Sequence, residues 1–245
     1  MEDKKRRILM VVSNPTTSTT TGWPVGFWAA ELIHAYKLFT DNRYQVTIAS
    51  PKGGKVEIDA LSDPRDSSGY SKDDTISLEF LEDRNFMSLL GNTKKVSDLS
   101  SNDFDAIVVV GGQGPMFTFR GETGLQNAFL EFYNKGKISA ALCHGTSLLL
   151  YLKEKDGKPL IQGKKITGFT DEEEDFADKA VGKKVMPFRI EDEAKRLGAE
   201  FQKANAFEPF AIKDGNLITG QQQHSGAEVA KLIIDTLLAN KSYKK

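Results

Sequence analysis

The chain has 245 residues, 39% of them hydrophobic and 27% charged, a balance that suits a folded globular protein and excludes a disordered one. Its 33 basic and 34 acidic residues leave a net charge of -1, so no cationic excess exists to neutralise a phosphate backbone, and nucleic acid is not expected as a partner. No apolar run is long enough to cross a membrane, and a lone cysteine allows no internal disulfide, which suits a reducing, cytoplasmic setting.

Taken in chain order, the basic opening at residues 1–7 and the lysines at the far end read as solvated termini. The apolar run that follows the opening stops at Ser13 and Asn14, too soon for a secretory signal. Residues 7–12 (RILMVV) predict a buried strand, and residues 13–22 a Thr-rich loop. Residues 26–39 predict a helix, with Phe27, Trp28, Leu32, Tyr36 and Phe39 near one face. Residues 44–49 (YQVTIA) predict a second strand, ending in the turn-forming Ser50-Pro51-Lys52-Gly53-Gly54. An irregular stretch runs to about residue 75, and short helical pieces are expected between 77 and 90.

Residues 105–110 (DAIVVV) are apolar and β-branched almost throughout, as a central parallel strand covered on both faces requires. They run into Gly111-Gly112-Gln113-Gly114-Pro115, and a helix follows over 123–133. Residues 138–142 (ISAAL) predict a strand closed by Cys143, after which His144-Gly145 turns the chain into a helix carrying Leu148, Leu149, Leu150 and Leu152. Further on, 165–169 reads as a strand and 188–197 as a helix. Residues 210–219 read as a hairpin turning at Asp214-Gly215-Asn216, and 225–238 as a closing helix capped by Ser225 with Glu228 three residues on. Strands alternating with helices, with no repeat or break in composition, predict one α/β domain over residues 1–245 with a parallel sheet between helical layers.

In such a sheet, ligands sit outside the carboxyl ends of the strands, where Cys143 lies. A lone cysteine is most often a small buried residue. Here, however, the small residues Ala140, Ala141 and Gly145 let strand and helix approach closely, as at a nucleophile elbow. A thiol at a helix N-terminus is biased toward thiolate, the reactive form. A sharp turn also lets the adjacent His144 converge on it as an orienting group or general acid and base. The glycine loop at 111–114 has backbone amides free to face an anion or a developing oxyanion. It lacks the spacing of a dinucleotide site. His34, His144 and His224 stand in no metal-ligand spacing, so no metal and no cofactor is expected.

The segments AALCHG, VVGGQGPM, KKITGFTDEEE and TGFWAAEL together resemble the ThiJ/PfpI (DJ-one) superfamily, similar in turn to the class I glutamine amidotransferases, over about residues 8–238. The chain resembles most its heat-shock-chaperone and glutathione-independent glyoxalase branch. That resemblance implies a flavodoxin-like three-layer sandwich with a mainly parallel central sheet and a nucleophile elbow, and a homodimer. It also implies Cys143 as nucleophile, His144 beside it, Glu31 as a nearby carboxylate, and backbone amides of Gly112 and His144 as oxyanion donors. Glu174 aligns best as the acid of the triad, with Glu172 and Glu173 as close competitors. Gln113 and Trp28 are the expected substrate contacts. The chain departs from the branch at Gln113, where the branch often has His, and in the Gly220-Gln221-Gln222-Gln223-His224-Ser225 segment, where His224 reads as a surface histidine at a helix start or, alternatively, as a local substrate contact.

The activity implied is cysteine-dependent, cofactor-independent conversion of a small reactive carbonyl such as methylglyoxal to a hydroxy acid. A peptidase or amidohydrolase using the same Cys-His pair is the hydrolytic alternative. A chaperone for unfolded clients, or an oxidative-stress sensor working through Cys143, is the non-enzymatic one.

Overall fold

The computed structural model describes residues 5–242; most of the two basic ends, residues 1–4 and 243–245, lies outside that range. Within it, Arg6 is no free solvated end, for its guanidinium lies 2.7 Å from the Asp105 carboxylate.

Seven strands form one sheet: β1 (Arg7–Val11), β4 (Gln45–Ser50), β5 (Lys94–Lys95), β6 (Ala106–Val109), β7 (Ile138–Leu142), β10 (Ala211–Asp214) and β11 (Leu217–Gly220). Their order is β10-β11-β7-β6-β1-β4-β5, and every neighbouring pair is parallel except the β10-β11 hairpin. Side chains alternate across β1, so Ile8 and Met10 enter one core and Leu9 and Val11 the other. The first core is covered by α1 (Ala29–Asp41) and α8 (Gly226–Ser242), through residues such as Leu32, Ile33, Val229 and Ile233. The second is covered by α5 (Thr123–Asn134) and the segment after β7, through Leu125, Phe129, Leu148 and Leu149. Helices on both faces of a mainly parallel sheet make this an α/β fold.

The remaining elements lie around that frame. Two short pairs, β2 (Thr16–Thr17) with β3 (Pro24–Val25) and β8 (Lys165–Ile166) with β9 (Glu200–Phe201), stand outside the main sheet. Helices α2 (Thr75–Glu82) and α3 (Arg84–Gly91) fill the region expected to hold helical pieces. Helix α4 (Gly114–Thr118) starts inside the glycine loop, α6 (Asp171–Val181) carries the acidic run, and α7 (Ile190–Arg196) follows.

Three local expectations change. Of the segment at 165–169 only Lys165–Ile166 is a strand, paired with β9 outside the main sheet; the rest runs over the elbow, where a Cβ on Gly168 would fall 2.3 Å from Thr146 Oγ1. The turn after Cys143 is a 3-10 helix over Cys143–Tyr151 rather than an α-helix, with Thr146 Oγ1 donating back to the Cys143 carbonyl at 2.6 Å. The Ser225 hydroxyl accepts from the N–H groups of Phe210 and Gln222, tying the hairpin to the loop before α8.

Candidate active site

The strand β7 ends at Leu142 in extended geometry, and Cys143 then takes a φ of 52°, a left-handed conformation rare outside glycine. Such strain persists only where surrounding structure enforces it. Here Gly145 provides the enforcement, since a Cβ there would lie 2.7 Å from the Val109 carbonyl oxygen of β6. The elbow therefore sits directly against the neighbouring strand, with the thiol and the following side chain on the same side of the turn. His144 Nδ1 lies 3.7 Å from Cys143 Sγ, and its Nε2 lies 3.0 Å from Glu174 Oε1. Phe169 packs on the imidazole at 4.2 Å between ring centres and fixes its plane.

The acidic run at the start of α6 separates into distinct jobs. Glu173 closes a capping box with Thr170 and also accepts from the Phe207 N–H and Gln221 Nε2. Glu174, one residue on, faces His144. Glu172 and Asp175 are exposed.

Glu31 projects from the first turn of α1 and is fully buried. Its Oε2 accepts from the Gly111 N–H at 2.7 Å, while Oε1 meets no nitrogen or oxygen donor. Burial pushes its carboxyl up to about 8, with bonds to Cys143 and Gly111 working the other way. The group is thus a carboxylic acid at neutral pH. Cys143 is pushed well above the ordinary thiol value by burial, then by the charge and bonding of Glu31, against the lowering effect of the His144 N–H. The expectation of a resting thiolate is corrected accordingly: burial holds the sulfur as a thiol. Once Glu31 carries its proton, its charge no longer opposes ionisation of the sulfur.

The glycine loop is held against this pair from two directions. Gly111 has room for no side chain, since a Cβ would lie 2.8 Å from Glu31 Oε2 and from the backbone nitrogens of His144 and Gly145. Gly112 has φ 101°, and a Cβ there would fall 2.4 Å from the Trp28 nitrogen. Asp59 was not singled out from sequence, yet it locks the arrangement, accepting from the Gly26 N–H at 2.8 Å and the Gln113 N–H at 2.6 Å. It lies in the irregular stretch after β4, where no periodicity marks it.

A cavity of 280 Å³ opens onto Cys143 and His144, and both Gln113 and Trp28 line it. Tyr70, from the same irregular stretch as Asp59, meets Trp28 edge-on at 5.9 Å and forms part of the wall. His224 lies instead in a separate pocket with His34 and Asp74, whose side chains are 2.9 Å apart. Among the described residues, no cluster of three or more His, Cys, Asp or Glu could hold a metal ion, and no helix is long and apolar enough to cross a membrane.

A mainly parallel sheet bearing a strained cysteine elbow, with an imidazole and two carboxyl groups around it, defines an α/β protein of the nucleophile-elbow class. The DJ-1/PfpI family model matches residues 25–236, and the chain belongs to that family. A relative from Candida albicans, Glyoxalase 3, is 31% identical over 95% of this chain and 98% of its own length. Glutathione-independent glyoxalase HSP31 of Saccharomyces cerevisiae is 29% identical over the same shares, 95% and 98%. Among solved structures, the Rapid Encystment Protein 24 KDa of Francisella tularensis superposes with a TM-score of 0.84 at 28% identity, covering 95% of this chain and 99% of that one. Glyoxalase III from Candida albicans superposes with a TM-score of 0.79 at 27% identity, covering 94% and 96%.

Proposed function

We propose that the protein is a glutathione-independent glyoxalase that converts a 2-oxoaldehyde such as methylglyoxal to the 2-hydroxy acid. The observation that carries this reading is the relay from Cys143 through His144 to Glu174, at 3.7 and 3.0 Å, with the protonated Glu31 bonded to the same sulfur. The names and full-length similarity of the yeast relatives support it.

The sulfur of Cys143 adds to the aldehyde carbon, forming a C–S bond as the thiol proton passes to His144, which Glu174 orients. The developing oxyanion is met by the backbone N–H groups of Gly112 and His144. His144 gives that proton to the hemithioacetal oxygen and, neutral again, removes the proton from the former aldehyde carbon while the protonated Glu31 donates to the ketone oxygen. The resulting enediol takes a proton on the ketone carbon from His144 and returns one from its other hydroxyl to Glu31, leaving the thioester. The first carbon is oxidised and the second reduced, so no external oxidant or reductant is consumed. Water adds to the resulting thioester, the C–S bond breaks, the sulfur regains a proton and the hydroxy acid leaves. A carboxyl held at about 8 is well placed for both halves of the shuttle, since it gives and takes a proton near neutral pH.

A homodimer in the cytoplasm fits the family resemblance and the single cysteine. The test is lactate formation from methylglyoxal by purified protein. Cys143→Ala should leave only the uncatalysed background, and a variant that keeps the full rate removes the mechanism.

A further inference from the structure

The cavity at Cys143 is larger than methylglyoxal requires, and its two ends differ in chemistry. At roughly 30 Å³ per water, 280 Å³ is room for about nine waters, against a substrate of three carbons and two oxygens. Cys143, His144, Glu174 and Gln113 gather at the polar end, where Gln113 Oε1 is buried and without a partner.

One side of the remaining wall comes from α6 and the loop after it, and it offers hydrocarbon: Phe176, Ala177, Val181, Val185 and Met186. Glu173 and Ala177 stand one helical turn apart, so the face that carries the carboxylates continues as an apolar strip. Among the described residues no lysine or arginine lines the cavity, and Glu173 is already engaged by four donors. A substrate with an anionic tail would find no countercharge there. At the mouth, Trp23 is 37% and Phe176 56% exposed, so the apolar wall continues out to solvent. Methylglyoxal would occupy the polar end and leave the hydrocarbon surface uncovered.

We propose that the substrates are 2-oxoaldehydes whose ketone carries an apolar group larger than methyl, aryl or branched alkyl, seated against Phe176, Ala177, Val185 and Met186. This rests on the glyoxalase reading above and uses the same steps, with the larger group in place of methyl.

The test is kcat/KM of the unaltered protein for methylglyoxal, isopropylglyoxal and phenylglyoxal, each followed by its hydroxy acid. A rise of at least about tenfold from the methyl to the larger members is expected, since burying several more carbons is worth at least that. Intrinsic electrophilicity is separated by Ala177→Leu, which fills the apolar end. The ratio of phenylglyoxal to methylglyoxal turnover should then fall at least about fivefold, by the loss of room for one or two carbons. Methylglyoxal turned over as well as or better than the larger aldehydes overturns the proposal and leaves the glyoxalase reading standing, as does an unchanged ratio in Ala177→Leu. No hydroxy acid from any of the three removes both. Where the variant fails to fold, the native chain's ratio of isopropylglyoxal to methylglyoxal decides the matter, since a branched alkyl group makes the carbonyls no more electrophilic than methyl does.

Discussion

Replacing Glu31 by Gln keeps an acceptor for the Gly111 N–H and removes only the ability to ionise. The unfolded chain loses the Glu31 proton near 4.5, whereas the folded chain holds it to about 8. Between those values the unfolded state binds fewer protons, so rising pH favours unfolding. The stabilising contribution is complete below pH 4.5 and disappears as pH climbs through about 8. At about 1.36 kcal/mol per unit, native stability should drop by about 3 kcal/mol from this group between about pH 5 and pH 8. Glu31→Gln has no such dependence. Urea unfolding of both proteins across that range should give curves that nearly meet at the acid end and separate by about 3 kcal/mol at the basic end, with the variant the more stable. Asp171, raised to about 6, titrates in both proteins and cancels in the difference, whereas the charge of Asp59 is one of the causes that raise Glu31 and belongs to the effect measured. A difference that stays flat with pH would show that Glu31 is ionised in the folded protein at pH 7, and the account of its role as a proton donor would fail.

Alkylation of Cys143 by iodoacetamide above about pH 8 should be faster in Glu31→Gln than in the native protein, because the charge that opposes the thiolate is gone; equal rates would contradict it. Glu174→Gln should lower kcat by about a hundredfold or more, in the range of general acid-base effects, with little change in the unfolding midpoint. Glu173→Gln should do the reverse, costing about 2 kcal/mol in urea unfolding by leaving buried donors unpaired, and so separates the two neighbours. Gly111→Ala places a methyl 2.8 Å from Glu31 Oε2 and the elbow nitrogens, and should abolish activity while lowering stability by about 1–3 kcal/mol. Normal turnover in that variant would mean that the loop is not fixed against the elbow.

What was legible in the sequence follows from how local each signal is. Strand β6 is wholly apolar, and β1 and β7 each carry a single polar residue, Arg7 and Ser139, so composition marks all three as the buried centre of a parallel sheet. The elbow was visible because Cys143 closes an apolar strand, with the small residues Ala140, Ala141 and Gly145 around it and a His-Gly turn following. The register of the acidic run was not, since Glu172, Glu173 and Glu174 are chemically identical until the capping box of Thr170 turns one inward to the backbone and the next toward His144. Asp59 and Tyr70 escaped for a different reason. Both lie in a segment without periodicity, and each acquires its role from partners far along the chain, Gln113 for one and Trp28 and Gln223 for the other. The apolar wall of the cavity was hidden in a helix whose first turn reads as purely acidic; Phe176 and Ala177 reach the site only because the capping box fixes where that helix begins.

The ionisation of the site is where sequence-level reasoning and geometry part most sharply. Proximity to a helix start argues for a thiolate, but that helix is a 3-10 segment of nine residues, and its effect on the sulfur arrives mainly through one N–H, that of His144. Against it stand full burial and a carboxyl that shares the same dry space. Two acids so placed titrate as a pair, and the first proton lost belongs to both. With that proton gone, the remaining one lies either on sulfur, leaving a carboxylate bonded by the Gly111 N–H, or on Glu31, leaving a thiolate that accepts from the acid and from His144. The glycine loop decides how far apart these two arrangements are in energy, because the same residue, Gly111, donates to the carboxyl and makes room for the elbow amides. Activation of the cysteine is therefore a property of three chain segments brought to one point, and the strained turn at Cys143 is what brings the sulfur there.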